Sequence, residues 1–571
     1  IDIDTNDLRF DPEETRSFLR LALKTELHSA AIDELINKTE GWIAGLRLAT
    51  LSLQNKNTEE IERLIPSFTG SHHYVSDYLT REVFENQSEP IQSFLLKTSF
   101  FRRLTGSLCD AITGTKNCEV TLEQLDRDNL FIVQLEYSGD RSWYRYNPLF
   151  AELIQHLGRQ RLSETDIKSL YERASVWYEY HGLVGDAIET ALSAGLFEQA
   201  ISLIEKYIDL HDLREIRTLS RWLEFIPQQE VLRHPMICFT YAQIILYSND
   251  RFALSTPGLI EPYLHAAESA WQAEKNPTGL GQLHSFRGNV NWWQGNFQQA
   301  FEYAHQSVNE LPENQIFWRG NSLLILGYEA LTEGRILDAQ DLILEARALL
   351  GAVQNIYGVL AAIQLLGEVF YWQGEFEQAE QLNKQILAEA VGEESMLDDQ
   401  GIASLALAHI AYEQNNLEDA EQYTRRALML GEQRGNEILQ VQAGDRLAHI
   451  QFAKGDPFQA RELLKSLETK IKSPVMLLEV HDAQALLAIR MNEVSSPDWW
   501  VKLVSGENNK TLYLQREQEV FSLSRLRIGE DKQGEALEML QAWKVDSAAN
   551  GRVRSQVVAL ILEALALYAE S

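Results

Sequence analysis

Cysteine is scarce in this chain, with three in 571 residues: Cys109, Cys118 and Cys238. An odd count, a spacing of nine between the closest pair and no CxxC point to reduced thiols in a cytoplasmic setting. They argue against a disulfide framework or a zinc site. Long apolar runs are absent as well. No stretch of about eighteen uncharged apolar residues occurs, so no membrane span is expected. The opening Ile1-Asp2-Ile3-Asp4 has nothing of a signal peptide. Positive charge is short: 51 Lys and Arg against 83 Asp and Glu leave a net charge of −32. Such a surface repels phosphate backbones, so contact with DNA is expected only from a part outside these residues.

Catalytic signatures are missing too. No GxxxxGK[ST] is present, hence no phosphate-cradling P-loop, and no GxGxxG after a strand, GxSxG or HExxH occurs. His72-His73 is the nearest approach to a metal pair. Adjacent helical histidines diverge, and no Cys or carboxylate spacing completes a site. Carboxylates are plentiful, yet no pattern sets two across a cleft. The chain is expected not to be an enzyme, and to bind no metal.

What is present is a repeat. A Gly or Asn followed five residues later by Ala recurs as Gly295/Ala300, Gly334/Ala339, Gly374/Ala379, Asn415/Ala420 and Gly455/Ala460. The alanines step by 39, 40, 41 and 40 residues. A period near 40 with a turn signal inside each unit predicts stacked helical hairpins, a TPR-like α-solenoid. The turn residue suits a helix end at positive φ, and the Ala suits a close helix crossing. Gly534-Glu535-Ala536 reads as a further copy after a gap of 76, with an interrupting loop expected within 492–512.

At 571 residues the chain exceeds a single core and should hold roughly three or four domains. Asp11-Pro12-Glu13-Glu14 is a helix start, continued by Phe18, Leu19, Leu21 and Leu23. Ser29 opens a second helix, and Gly41-Trp42-Ile43-Ala44-Gly45-Leu46 begins a third. A helix through Phe94, Leu95 and Phe101 follows, then short helices at Ser107–Ala111 and Leu122–Leu125. Leu130–Leu135 and Trp143–Tyr146 read as strands joined by a turn at Ser138–Arg141, and Pro148 opens a closing helix. Three helices, a β-hairpin and a helix make a winged-helix module. The expected division is therefore a strand at 1–8, a helical domain at 9–88, a winged helix at 89–162, a helical arm at 163–250 and a TPR-like sensor at 251–571. The fold class is mainly α.

Each repeat carries aromatics before its turn: Trp292-Trp293, Tyr328, Tyr371-Trp372 and Tyr412. Packing accounts for most of them. An inner wall lined by the first helix of each pair could also use some to stack on an effector. Trp292, Trp293, Tyr328 and Trp372 are the ligand-binding candidates, with Trp318 further out. Trp292 and Trp293, about 100° apart on a helix, cannot share one environment.

Three stretches in order resemble the STAND-class, ATP-dependent LuxR-type transcriptional regulators, the family exemplified by the maltose-operon activator. Thr39–Ala49 looks like the helical-domain segment that follows their nucleotide-binding domain. Phe94–Ser99 with Leu104 and Leu108-Cys109-Asp110 resembles their winged-helix entrance. Trp143–Phe150 resembles the strand-to-helix turn that closes it, and Trp222-Leu223-Glu224 with Arg233-His234-Pro235 matches the hairpins beyond. The resemblance implies that Ile1–Asp4 belongs to the last strand of an ATPase domain, and that a DNA-binding helix-turn-helix lies beyond residue 571. It implies that Gly41, Trp42 and Ile43 face the adenine side of ADP or ATP in the full-length protein, with no cofactor bound by this chain alone. It leaves any ATP hydrolysis to the parent's P-loop domain.

Many members have Pro where this chain has Ile43. Where the family usually has a phosphate-sensing His, this chain has Asn147, which suits equally a cap for the helix at Pro148. The function implied is a sensor that binds a small-molecule or protein effector on its solenoid. That sensor would govern ADP/ATP-gated self-association and promoter binding through the DNA-binding part, without contact with a membrane. The alternative is a TPR-like adaptor for a protein or peptide with no nucleotide or DNA role.

Overall fold

The computed structural model describes residues 9–25, 27–54, 56–70, 73–128, 130–135, 142–211, 216–248, 255–390, 396–491 and 517–570. The chain divides into two compact units, Ile1–Ile244 and Ile245–Ser571. The strand expected at 1–8, the hairpin turn at Ser138–Arg141, His72 and the whole interruption at 492–512 lie outside the described residues.

The first unit opens with α1 (Pro12–Leu23). Asp11 accepts from the amides of Glu13 and Glu14 while the Glu14 carboxylate accepts from the Asp11 amide, a capping box that satisfies donors no helical carbonyl can reach. Helices α2 (Ser29–Thr39), α3 (Ile43–Leu53), α4 (Thr58–Leu64) and α5 (His73–Tyr78) follow. Leu19, Ile32, Leu35, Leu46, Ala49, Leu53 and Ile61 are buried from solvent.

The winged helix comprises α6 (Glu89–Thr98), α7 (Gly106–Thr113), α8 (Cys118–Arg127), β1 (Ile132–Gln134), β2 (Tyr144–Tyr146) and α9 (Pro148–Arg161). The strands are antiparallel, with Ile132 opposite Tyr146, Val133 opposite Arg145 and Gln134 opposite Tyr144; Leu104 bridges to Tyr144 on the other edge. The helix expected to reach Phe101 stops at Thr98, and Phe101 is buried just past its end. Each strand is shorter than its sequence pattern. Leu130 is a buried residue before β1, and Trp143 one before β2. Beyond it run α10 (Glu164–Tyr180), α11 (Val184–Ser193), α12 (Phe197–His211), α13 (Ile216–Glu224), α14 (Gln228–Val231) and α15 (Pro235–Ser248). Cys109, Cys118 and Cys238 are free and buried.

The second unit is a succession of hairpins. Its first helices are α17 (Pro277–Trp293), α19 (Ile316–Thr332), α21 (Ile356–Gln373), α23 (Leu397–Glu413), α25 (Glu437–Ala453), α27 (Pro474–Arg490), α28 (Glu517–Gly529) and α30 (Val553–Glu570). Its second helices are α18 (Phe297–Glu310), α20 (Ile336–Ala352), α22 (Phe376–Glu389), α24 (Leu417–Arg434), α26 (Pro457–Lys470) and α29 (Gln533–Ala549), and α16 (Thr256–Glu274) precedes the array.

The repeat signature works as expected. Gly295, Gly334, Gly374, Asn415 and Gly455 all sit at φ between 61° and 90°, and the Ala five residues on is fully buried each time. The copy placed at Gly534 is corrected. Gly534 lies inside α29, and the left-handed turn residue is Asp531, at φ 58°, five before Ala536. Two more copies stand in the first unit, Gly182/Ala187 and Gly195/Ala200, with the same φ sign and the same buried Ala.

First helices pack on one another in succession from α17 to α30, and second helices pack onto them. In a curved stack the layer whose members meet across repeats is the inner one, so the first helices form the inner wall. That wall closes on itself, because α30 packs against both α28 and α21.

Candidate functional site

Two constellations stand out, one in each unit. In the first, Gly41 is the hinge. Its φ is +72°, and a Cβ there would meet the Phe10 carbonyl oxygen at 2.3 Å, while its own carbonyl accepts from the Phe10 amide at 2.9 Å. Only glycine fits this close approach. Trp42 follows as the N-cap residue of α3, its indole folded back over Gly45, where a Cβ would lie 2.4 Å from the ring. The indole meets Phe131 edge-on at 4.9 Å and Tyr78 at 6.0 Å. Ile43 is exposed at the helix start.

Glu40, one residue before the hinge, gathers charge from the winged helix and from the stretch before α1. Its carboxylate pairs with Arg145 at 2.5 Å and with Arg9 at 3.8 Å, and accepts from Asn147 Nδ2 at 3.1 Å. Asn147 is 4% exposed, and its Oδ1 accepts from the Leu149 amide, capping α9. Both ends of the amide are thus engaged. Gly70 adds a second joint, its amide donating to Glu152 Oε2 on α9 at 2.7 Å. The Gly41 turn and the Tyr146–Phe150 segment are therefore neighbours, as the family resemblance requires.

In the second unit the four aromatic candidates do not share one site. Trp292 stacks edge-on with Tyr328 at 4.6 Å and packs on the cluster of Ala300, Ala304, Ile325 and Leu326. Burial pushes the Tyr328 hydroxyl up to about 12. Trp293 is half-buried on the adjacent face. Trp372 borders the core of α19–α21 and lies 5.2 Å beneath the Arg554 guanidinium. Trp318 sits near the start of α19, its carbonyl accepting from Ser285. A cavity of about 310 Å³ between α16, α17 and α18 is lined by Glu261, Arg287, Asn291 and Tyr303, and by none of the four.

What the sequence reading missed is a column of polar residues six positions before each turn residue: Asn289, Tyr328, Glu368, His409, His449 and Arg525. The spacing was available as a signal, since it follows from the turn positions alone. Glu368 keeps part of its surface accessible, yet burial pushes its carboxyl up to about 7. His409 is held well below the usual imidazole range by burial, then by Arg446 and Arg554. These are the marks of side chains lining a confined wall. Beside them, Arg554 from the last helix pairs with Glu413 at 2.7 Å and Glu517 at 2.5 Å and lies over the Tyr371 ring at 5.0 Å. Tyr371 also donates to Glu413 at 3.1 Å. Arg552, fully buried, donates to the carbonyl of the turn residue Gly334 at 2.9 Å and pairs with Asp546.

Residues 80–166 match the model of the MalT winged helix domain, and residues 281–571 match that of the MalT-like TPR region. The chain belongs to the MalT-like TPR family. A MalT-like curated relative, the HTH-type transcriptional regulator MalT of Cronobacter sakazakii, is 24% identical over 483 residues, 82% of this chain and 51% of the relative. The serine/threonine-protein kinase PknK of Mycobacterium tuberculosis is 29% identical over 248 residues, 43% of this chain and 22% of its own. The chain thus spans about half the length of the first of these and less of the second. Among solved structures, the STAND protein PH0952 of Pyrococcus horikoshii, with a tetratricopeptide repeat sensor, aligns at a TM-score of 0.42 and 15% identity, over 86% of this chain and 70% of that one. NprR in complex with its cognate peptide NprX aligns at 0.41 and 14%, over 63% and 97%. No helix among the described residues of this MalT-like chain is long and apolar enough to cross a membrane.

Proposed function

We propose that this chain is the signal-sensing and regulatory portion of a STAND-type, ATP-dependent transcriptional activator. In this reading the solenoid binds an effector. Binding shifts the population between a resting, ADP-held form and an ATP form that self-associates and occupies promoters through a separate DNA-binding domain. An effector acts only through its difference in affinity for the two forms. The observation that carries the reading is the inner wall, where Tyr371, His409 and Tyr412 of α21 and α23 gather with Arg446 of α25 and Arg554.

The Gly41 turn fits one part of a nucleotide. The start of α3 has no side-chain cap, and beside it stand an exposed Ile43 and a half-buried indole, an apolar edge suited to a purine. Bound ADP or ATP would lie against Gly41, Trp42 and Ile43 and supply the charge that holds neighbouring domains. Asn147 gives one of its two amide hydrogens to the Glu40 carboxylate and its oxygen to the cap of α9. We assign it to positioning the winged helix on the hinge.

The test uses the protein expressed from its native gene. Fluorescent ADP should bind it and quench Trp42, and a Trp42→Phe variant should lose the quench. A compound or peptide that raises the melting temperature of the chain should also change the self-association of the full-length protein. Binding of a peptide with no nucleotide affinity in the native protein would turn the assignment to an adaptor.

A further inference from the structure

We propose that Tyr412, Arg446, His449, Arg490 and Arg525 form a binding site for a compact organic anion, a carboxylate or phosphate monoester, on the inner wall of the solenoid. The proposal rests on the sensor reading only for what binding achieves, and deepens it by naming the effector's chemistry.

The residues come from four consecutive inner helices, α23, α25, α27 and α28, which pack on one another in order. Arg446 lies over the Tyr412 ring at 5.0 Å, which fixes its guanidinium plane. It is 8% exposed, makes no ion pair among the described residues, and its Nε has no hydrogen-bond partner there. His449 is 3% exposed. Its Nδ1 faces Asp445 Oδ2 at 3.6 Å, and its Nε2 has no partner among the described residues. Buried polar atoms are normally paired, so the orphaned Arg446 Nε and His449 Nε2, three residues apart on α25, point to a missing partner, as does the neighbouring Asp445 Oδ1. A nitrogen with a hydrogen to donate wants an acceptor oxygen.

Arg525 completes the set from the opposite helix. It is exposed, yet burial and the neighbouring Arg490 push its guanidinium down to about 10, with Tyr412 the opposing influence. Arg490 also bears on His449 and Asp445, so the four helices converge on one space. Arg525 makes no ion pair among the described residues. Elsewhere on this wall the protein supplies the counter-charge itself, as Glu413 and Glu517 do for Arg554.

The surroundings limit the ligand. Asp445, Glu479 and Asp482 border the site; burial raises the carboxyls of Asp445 and Glu479, and Asp482 and Asp445 raise that of Glu479 further. A polyanion such as nucleic acid would meet this acidic edge. A single carboxylate or phosphate group presents far less charge to that edge.

Calorimetric titration of the whole chain at fixed ionic strength tests the site, using inorganic phosphate, succinate and glucose 6-phosphate, with glucose as the neutral control. At least one anion should bind while glucose does not. Arg525→Gln, which alters an exposed side chain, and Arg446→Gln should each weaken that binding by about tenfold or more. Lys384→Gln, on an outer helix, should not. If Arg446→Gln fails to fold, Arg525→Gln decides. No binding of any of the three at about 10 mM, a level that would reveal even millimolar affinity, overturns the site, and so does equal binding by Arg525→Gln. Binding of glucose alone would remove the site and leave the sensor reading standing. Anion binding that leaves full-length self-association unmoved would keep the site and remove the sensor reading.

Discussion

Asn147 Nδ2 donates to Glu40 Oε2 at 3.1 Å, joining residues 107 apart in sequence. The same side chain caps α9 through Oδ1. The two roles separate by substitution. Asn147→Ser keeps a cap acceptor and loses the Glu40 contact, which should cost about 1 kcal/mol. Asn147→Asp keeps the cap but sets a carboxylate against Glu40 in a nearly buried place. It should cost more, about 2–3 kcal/mol, unless one acid takes a proton. Urea denaturation at pH 7 and again at pH 5 gives both numbers, and the Asp penalty should shrink at the lower pH.

Gly41→Ala should destabilise the first unit more than Gly455→Ala does the second. Both carry positive φ, at 72° and 90°, and both variants bear a left-handed penalty of about 1 kcal/mol. Only at Gly41 does the new methyl meet backbone, 2.3 Å from the Phe10 oxygen, whereas nothing lies within 4 Å of Gly455. Thermal melts of the two variants against the parent chain rank them. Equal losses would mean that Phe10 moves aside freely.

Removing Arg554 strands Glu517, which is 1% exposed and would retain Ser555 as a partner but no cation at bonding distance among the described residues. Arg554→Met should therefore cost about 3–5 kcal/mol, and pairing it with Glu517→Met should recover most of that loss. A double-mutant cycle by chemical denaturation reads the coupling.

Glu368 gives a pH dependence with a definite sign. Its carboxyl is raised from 4.5 to about 7 by burial, so the folded state holds a proton that the unfolded chain releases. That contribution is fully present below pH 4.5 and is lost as pH rises through 7. Glu368→Gln, which never ionises, should match the parent near pH 4.5 and exceed it at pH 8 by about 1–3 kcal/mol, allowing for partial solvent access. Melting curves across that range show whether the two lines diverge.

The array was legible because its turn chemistry is local. Gly or Asn at positive φ and a small residue at the crossing are demands that a single repeat imposes on its own sequence. Asp531 escaped because Gly534, three residues on, is the stronger turn signal. The copies at Gly182 and Gly195 escaped because they stand 13 residues apart, far from the period of 40. The hinge at Gly41 and its neighbourhood with Tyr146–Phe150 followed from resemblance, since no local rule joins Glu40 to Asn147. The wall was harder. Aromatics are conspicuous in a sequence, yet Trp292 and Tyr328 largely serve each other. The arginines that matter for the inferred site look like ordinary helix-surface cations until four neighbouring helices are placed around them.

The docking of α30 on α21 has a consequence for how the molecule yields. An open stack of hairpins frays from its free end, one unit at a time, at little cost. Here α30 is pinned to the middle of the array through Arg552 at Gly334 and Arg554 at Glu413. The repeats between must loosen together or not at all, and a molecule that wedges or tightens that seam changes the pitch of every turn it encloses.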